Sequence, residues 1–208
     1  MTFVLHLNPA NVDDERLRDA VRMLRDGLVV AFPTDTLYGL AVDPRNADAV
    51  RRLYELKGRT ATAALPLIAA DLEQAELAAV LNATARRLAE CWWPGSLTIV
   101  SEARPAVSPE TLAGGRTVGV RVPDHAVARA LARAFGFCVT ATSANRSGTP
   151  AASRADEVMT ALPHVDCIID GGVVRGGAPS TIVEVAGTDV HLVRAGAIAW
   201  DRVLKSVG

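Results

Sequence analysis

The chain has 208 residues, of which 50% are hydrophobic and 22% charged, which is the composition of a folded domain large enough to close one core. Its 22 Lys and Arg residues nearly cancel 23 Asp and Glu residues, so no overall basic charge indicates a nucleic-acid or anionic-membrane binder. No apolar run approaches the roughly 18 residues of a membrane span and no signal-peptide pattern is present, so we expect one cytoplasmic domain over residues 1–208 with no membrane segment.

Helices and strands alternate in the first half of the chain. Leu17, Val21 and Leu24 recur at helical spacing and predict a first helix that ends near Gly27. The apolar run that follows is typical of a strand buried on both faces. The elements predicted after the first helix are a strand at 28–32, a helix at 46–56, a strand at 65–70, and helices at 71–81 and 82–91, with Asp71 and Asn82 as N-caps.

Strands predominate in the second half. The predicted elements are strands at 97–100 and 117–121, a helix at 124–135, a strand at 137–140, a helix at 153–162, strands at 165–169, 181–185 and 190–193, and a last helix at 199–207. This order predicts an α/β fold with one mixed, twisted sheet and packed helices.

The common catalytic signatures are absent from the sequence. It has no P-loop, no Rossmann glycine motif, no G-x-S-x-G and no H-E-x-x-H. The cysteines at 91, 138 and 167 lack the spacing of a zinc site, so we expect three buried thiols and no metal held by the protein.

Polar residues follow the predicted strands instead. Thr34, Asp35 and Thr36 come directly after the strand at 28–32, where open α/β sheets place their ligands. Taken alone, this segment fits a capping turn better than a ligand site, by roughly two to one. Lys57 and Arg59 flank a glycine after a helix, where two cations either clamp a phosphate or favour the helix C-terminus.

Later segments repeat this arrangement. Thr117, Gly119 and Arg121 share one face of a strand by two-residue alternation, and an arginine there needs an anion. Residues 140–148 carry small donors and acceptors that suit a ribose, a phosphate or an amino-acid head group, or an ST-turn without a ligand. Residues 179–196 place hydroxyls at the start of one strand and an arginine at the end of the next. Five such segments indicate one anionic, multi-part ligand, because turns alone do not require cations beside hydroxyls.

At these residues the sequence resembles the YrdC/TsaC family of threonylcarbamoyl-adenylate synthases. The resemblance runs in one order from Leu28 to Gly196. Its motifs are PTDTLYGL (33–40), KGR (57–59), WPGSLT (93–98), TVGVRVP (117–123), TSANRSG (142–148) and PSTIV (179–183).

The resemblance implies a YrdC-like open, twisted mixed sheet with flanking helices and a concave face that holds L-threonine and ATP. It implies an ATP-dependent nucleotidyltransferase, in which threonine and bicarbonate or CO2 form a carbamate that attacks the α-phosphate of ATP and releases pyrophosphate. Mg²⁺ is expected to enter with ATP, held by phosphate oxygens and water. Partner proteins are expected to transfer the threonylcarbamoyl group to a tRNA adenosine.

The same motifs imply roles for individual residues. Lys57 and Arg59 are the expected catalytic residues. ATP is expected to bind at Arg59, Thr117, Ser143, Asn145, Ser153 and Arg194, with Asn145 also bracing its loop. Threonine is expected to bind at Thr34, Thr36, Arg121, Thr142 and Ser180.

Three positions depart from the pattern of the family. Thr60 and Ser96 stand where proline is usual, and Ile68 stands where some relatives carry a histidine that touches threonine. The chain ends about 12 residues after the Arg-Ala-Gly of residues 194–196, which resembles the short bacterial form of the family.

Other functions remain open at this point. The main alternative is a YrdC-like module that binds double-stranded RNA or tRNA through a sheet face. The cations that this face would display are Arg51, Arg52, Lys57, Arg59 and Arg121. A paralogue without synthase activity, or the carbamoyl-phosphate-using module of hydrogenase maturation proteins, is a further alternative.

Overall fold

The structure, a computed structural model, describes residues 2–12, 15–58 and 63–207. The helices are α1 Arg18–Arg25, α2 Ala47–Lys57, α3 Leu72–Ala75, α4 Ala83–Trp92, α5 Ala126–Phe135, α6 Ala155–Ala161 and α7 Trp200–Lys205. The strands are β1 Phe3–His6, β2 Val30–Phe32, β3 Gly39–Ala41, β4 Leu67–Ile68, β5 Leu97–Glu102, β6 Thr117–Arg121, β7 Val139–Thr140, β8 Thr142–Ser143, β9 Cys167–Asp170, β10 Thr181–Ala186 and β11 Asp189–Arg194. Within the described ranges no helix has the length and apolar character needed to cross a membrane.

The strands form two mixed sheets. The five-stranded sheet has the order β1-β9-β2-β3-β8, in which β9 pairs in parallel with β1 and β2, and β3 pairs antiparallel with β2 and β8. The six-stranded sheet has the order β11-β10-β5-β6-β4-β7, in which β10 is parallel to β5 and β4 is parallel to β6, while the other neighbours are antiparallel. The predicted mixed α/β class is confirmed.

The five-stranded sheet is the middle layer of the core. Val30 and Phe32 of β2 point into the larger apolar cluster, which also contains the inner face of the six-stranded sheet and residues of α1, α4 and α5. Val29 and Ala31 point the other way, into a second cluster with residues of α2 and α6. Because successive side chains of a strand face opposite sides, one short run fills both cores. The prediction of a strand buried on both faces is confirmed.

Side-chain caps begin several helices. Asn46, Asp71 and Asn82 each accept a hydrogen bond from a backbone N–H in the first turn of the helix that follows. The predicted caps at 71 and 82 are therefore confirmed. Gly58 ends α2 with a φ of 60°, a left-handed conformation that glycine adopts without steric cost.

The prediction of one sheet is wrong, and the chain around Ala141 gives the reason. β7 pairs with β4 in the six-stranded sheet, whereas β8, which begins after the single intervening residue Ala141, pairs with β3 in the five-stranded sheet. The chain therefore passes from the six-stranded to the five-stranded sheet directly after the strand predicted at 137–140. Strand alternation cannot report such a crossing, because it depends on partners that are distant in sequence.

Other boundaries also differ from the predictions. The helix predicted at 71–81 is a single turn, α3, because Ala79 bridges to Ala103 and Val80 donates its N–H to Glu102 O at 2.8 Å. The strands β1, β3 and β8 were not predicted. Cysteines 138 and 167 are buried, whereas Cys91 is exposed on α4, so the prediction of three buried thiols is wrong for Cys91.

Candidate functional site

A cavity of about 550 Å³ lies against one face of the six-stranded sheet. Its walls are formed by β4, β5, β6, β10 and β11 on one side, and by residues 34–39 and 141–143 on the other. This volume is in the range of small-molecule and cofactor sites. The cavity therefore lies between the two sheets and receives side chains from both.

Two-residue alternation divides β6 between core and cavity. Val118 and Val120 are fully buried in the core, while Thr117, Gly119 and Arg121 line the cavity. The predicted shared face of these three residues is confirmed. A Cβ on Gly119 would lie 3.0 Å from Thr98 Cγ2, so glycine keeps this part of the wall open.

Arg121 forms a buried ion pair with Asp35. Its Nη1 donates to Asp35 Oδ1 at 2.9 Å and to Oδ2 at 3.1 Å, and both side chains are about nine-tenths buried. Ser96 Oγ donates to the same Oδ2 at 3.0 Å. Burial lowers the pKa of Arg121 from its ordinary value, and pairing with Asp35 opposes that shift.

A second polar group lies at the start of β10. Ser180 Oγ and Thr98 Oγ1 share a hydrogen bond of 2.9 Å. Arg194 donates from Nη2 to Ser180 O at 2.8 Å and to Ser180 Oγ at 3.2 Å. Burial lowers the pKa of Arg194, although its residue remains exposed at the cavity edge. These contacts orient one hydroxyl and one guanidinium beside each other.

The turn after β2 is held by a threonine hydroxyl. Thr34 Oγ1 donates to Leu37 O at 2.7 Å and contacts Thr36 Oγ1 at 3.1 Å. Tyr38 then crosses to residues 171 and 172, where its hydroxyl donates to Gly172 O at 2.7 Å. Burial is the main cause that raises the pKa of Tyr38 to about 12, so this hydroxyl remains a donor at neutral pH. The segment is therefore both a turn and part of the cavity wall, but its hydroxyls cap no helix, because the strand β3 follows.

Lys57 lies behind the cavity wall. Its Nζ donates to Ser143 O at 2.5 Å, to Asn145 O at 2.9 Å and to Asn145 Oδ1 at 3.4 Å, and only 3% of the residue is exposed. Ser143 Oγ donates to Asn145 Oδ1 at 2.6 Å, and Asn145 Nδ2 donates to Thr149 O. The end of α2 is thereby tied to the loop at 142–149.

The structure brings most of the predicted site residues to this cavity. Those that line it are Thr34, Thr36, Thr117, Arg121, Thr142, Ser143, Ser180 and Arg194. Lys57 and Asn145 support its wall without lining it. Ser153 lies before α6 and donates from its N–H and hydroxyl to Glu157, and it is not among the residues that line the cavity. Arg59 and Thr60 are outside the described residues.

Sequence reasoning assigned no role to three residues that organise the site. Asp35 belonged to a recognised motif, but its contact with Arg121 spans 86 positions of the chain. Thr98 lies on the cavity face of β5. Its neighbours Leu97 and Ile99 are core residues, so two-residue alternation predicts that Thr98 faces the other side of the strand. Ser96 was noted only because it stands where proline is usual in the family. Ile68, the other departure in the described residues, forms part of the apolar wall.

The cations suggested for RNA binding do not form a free basic face among the described residues. Arg51 pairs with Asp48 and Glu110, and Arg52 pairs with Asp166. Lys57 and Arg121 are buried. The two exposed arginines are paired with carboxylates and the other two cations are buried, so these four residues offer little to a phosphate backbone.

The cavity favours an anionic ligand. Arg121 and Arg194 supply two positive charges, and none of the described residues that line the cavity is acidic. Asp35, which supports the wall from behind, balances one of these charges. Hydroxyls from both sheets surround the arginines and donate or accept hydrogen bonds as a ligand requires.

Comparisons with known proteins support a family assignment. The Sua5/YciO/YrdC family profile, described as "Telomere recombination", matches residues 22–196. A protein of Bacillus subtilis (strain 168) named threonylcarbamoyl-AMP synthase is 37% identical over 209 residues, which cover 99% of this chain and 60% of that protein. A protein of Thiobacillus denitrificans with the same name is 39% identical over 78% of this chain and 87% of its own length.

A solved structure is similar to this chain in both sequence and fold. The crystal structure of Pyrococcus abyssi Sua5 complexed with L-threonine has a TM-score of 0.91 and 33% identity, and the match covers 100% of this chain and 61% of that one. The chain thus spans about three fifths of the length of the first relatives that it matches. The resemblance predicted from the six motifs is confirmed.

Proposed function

This chain belongs to the Sua5/YciO/YrdC family, and on that basis we propose that it is an L-threonylcarbamoyladenylate synthase. It makes threonylcarbamoyl-AMP and pyrophosphate from L-threonine, bicarbonate or CO2, and ATP. The reaction belongs to the nucleotidyltransferase class. The product supplies partner proteins that transfer the threonylcarbamoyl group to a tRNA adenosine.

One observation carries the proposal. The cavity combines two arginines with strand-end hydroxyls from both sheets and has no acidic residue among its described lining. Such a wall suits a ligand with several anionic parts, namely an amino-acid carboxylate, a carbamate and phosphates. The relatives named threonylcarbamoyl-AMP synthase, and the relative that binds L-threonine, support the choice of this ligand set.

We assign the two substrates to different sets of residues in the cavity. Arg121 and Ser180 hold the carboxylate of threonine, with Thr34, Thr36 and Thr142 around the rest of the amino acid. Two features of Arg121 favour this role, because it is buried and uses one nitrogen for Asp35. An arginine in a dry wall binds a carboxylate more strongly than an exposed arginine does.

The nucleotide occupies the rest of the cavity. Thr117 and Ser143 lie along it, and Arg194 lies near its phosphates. The Arg194 guanidinium is already oriented by Ser180, so little side-chain freedom is lost when a phosphate binds. The motif also assigns Arg59 to the phosphates of ATP.

The chemistry asks the protein mainly for orientation. A carbamate oxygen of N-carboxythreonine attacks the α-phosphorus of ATP, a P–O bond forms, and the bond to the bridging oxygen breaks with release of pyrophosphate. The carbamate is itself the nucleophile, so no side-chain nucleophile is needed. Arg194 stabilises charge that develops on the phosphate oxygens. Lys57 contributes by fixing the backbone of residues 143–145 that forms the nucleotide wall.

Magnesium fits this proposal as a companion of ATP. The described residues contain no group of three or more His, Cys, Asp or Glu side chains able to hold a metal ion. Asp35, the carboxylate behind the wall, is used by Arg121 and Ser96. Phosphate oxygens and water would therefore supply the ligands, as is usual for Mg²⁺ bound with a nucleotide, and the ion would neutralise phosphate charge.

A substrate-omission assay tests the proposal. Pyrophosphate release is measured with threonine, bicarbonate, ATP and Mg²⁺, then with each left out in turn, and threonylcarbamoyl-AMP is identified by mass spectrometry. We expect release only with all four. Pyrophosphate release without threonine, or no release from the complete mixture, would contradict the assignment.

A further inference from the structure

We propose that Ser96 is a positioning residue that keeps the Arg121 guanidinium available to the substrate carboxylate. It does so by holding Asp35 on a single nitrogen of Arg121. The inference rests on the proposed function for its substrate, but its structural basis is independent of that function. Nothing in the motif that contains Ser96 assigns this serine a contact with the site.

The ion pair between Arg121 and Asp35 uses one nitrogen of the arginine. Both oxygens of Asp35 accept hydrogen bonds from Nη1 of Arg121, at 2.9 and 3.1 Å. An unconstrained arginine and carboxylate favour a fork, in which two nitrogens donate to two oxygens. Here the hydrogen bonds of the Arg121 side chain to described residues use Nη1 alone, so Nε and Nη2 are left for another acceptor at the cavity.

A hydrogen bond from Ser96 keeps Asp35 from bridging two nitrogens of Arg121. Ser96 Oγ donates to Asp35 Oδ2 at 3.0 Å. This bond fixes the rotation of the carboxylate and withdraws part of its negative charge from Arg121. Without it, Oδ2 is free to turn toward a second nitrogen of Arg121, and the fork would consume the N–H group that a substrate carboxylate needs.

Backbone hydrogen bonds hold Ser96 in place. Gly95 donates its N–H to Val122 O at 2.8 Å, and Thr181 donates its N–H to Ser96 O at 3.0 Å. Val122 follows Arg121, and Thr181 follows Ser180. The chain on both sides of the serine is therefore clamped to the neighbours of two cavity residues, and loss of the hydroxyl leaves these bonds intact.

The test compares Ser96→Ala with Ser96→Thr and with a matched control. Ser101→Ala removes a hydroxyl from the same strand region, one that donates to Val80 O at 2.5 Å and does not line the cavity. For Ser96→Ala we expect KM for threonine to rise about tenfold, the usual cost of one charge-assisted hydrogen bond, with kcat within about twofold and KM for ATP unchanged. Ser96→Thr restores the hydroxyl and should restore KM, and Ser101→Ala should leave KM unchanged.

Crystal structures of the wild type and of Ser96→Ala provide a second measurement that needs no substrate. We expect Asp35 to bridge two nitrogens of Arg121 in the variant and one in the wild type. An unchanged pair, or a KM for threonine within twofold of the wild type, would overturn the proposal. If the wild type itself releases no pyrophosphate, the proposed function fails, and the two structures still decide the role of Ser96.

Discussion

Lys57 and Arg121 are both buried cations beside the cavity, yet they are satisfied in different ways. Lys57 donates to two backbone carbonyls and one amide oxygen of residues 143–145, all neutral groups. Arg121 is paired with one carboxylate through one nitrogen. A compact ammonium surrounded by carbonyls fixes a loop, whereas a planar guanidinium held along one edge still presents donors to a ligand. The two cations therefore differ in role: Lys57 supports the cavity wall from behind, and Arg121 is part of the binding surface.

Removing the supporting cation has the largest expected effect. In Lys57→Met the chain length of the side chain is nearly kept, but buried carbonyls of Ser143 and Asn145 lose their donor. We expect the free energy of unfolding to fall by about 3 kcal/mol, because unsatisfied buried acceptors cost about 1–3 kcal/mol each. Urea denaturation measures this change.

The control for this variant is Lys205→Met, at an exposed lysine of α7. It should change the free energy of unfolding by no more than about 0.5 kcal/mol. If Lys57→Met abolished activity while leaving stability within about 1 kcal/mol of the wild type, the lysine would act on the substrates directly and the contrast with Arg121 would fail.

Replacing the binding cation should instead reduce affinity. Arg121→Lys keeps a charge for Asp35 but loses the second edge of the guanidinium. We expect the Kd for L-threonine to rise about thirtyfold, equivalent to about 2 kcal/mol, with a smaller loss of stability than in Lys57→Met. Isothermal titration calorimetry gives the affinity. Equal affinity in the variant and the wild type would remove Arg121 from the proposed threonine wall.

Ser143 combines support and binding in one residue. Lys57 contacts its carbonyl, and its side chain lines the cavity and also donates to Asn145 Oδ1. Ser143→Ala keeps the carbonyl that Lys57 binds and removes the hydroxyl. We expect KM for ATP to rise about fivefold and the free energy of unfolding to fall by about 1 kcal/mol, because the hydrogen bond to Asn145 Oδ1 is lost. Steady-state kinetics and urea denaturation test both halves. A stability loss as large as that of Lys57→Met would show that the side chain supports the loop.

The smallest expected effect concerns His125, the N-cap residue of α5. Its Nδ1 is buried and has no hydrogen-bond partner among the residues that the structure describes, and burial lowers its pKa in the folded protein. The unfolded chain takes up a proton below about pH 6.5 and the folded chain resists it, so stability is kept above this pH and falls as the pH drops. His125→Gln should flatten the decrease of the free energy of unfolding between pH 7 and 5. An unchanged pH profile would contradict this assignment.

Much of the fold was predictable because the relevant signals are local. Apolar spacing and capping residues indicated α1, α2 and α4, and a short apolar run indicated β2. The strands that were missed, β1, β3 and β8, are short, and each is a strand only because of a partner elsewhere in the chain. Composition and periodicity carry no information about such pairings.

Part of the candidate site was also predictable from local sequence patterns. Hydroxyls and arginines at strand ends indicated an anion site, and the alternation of Thr117 and Arg121 placed both on one wall. The sequence contained no sign that Lys57 turns away from the cavity, because its orientation depends on the loop at 143–145. The link from Ser96 through Asp35 to Arg121 joins three distant segments, so it appears only in the folded chain.

A crystal structure of the wild-type protein with L-threonine tests the central claim most directly. The account predicts the amino acid in the cavity, its carboxylate within hydrogen-bond distance of Arg121, and Asp35 still on Nη1 with Ser96 bound to it. Threonine bound elsewhere, or a carboxylate in the cavity with no contact to Arg121, would contradict the account.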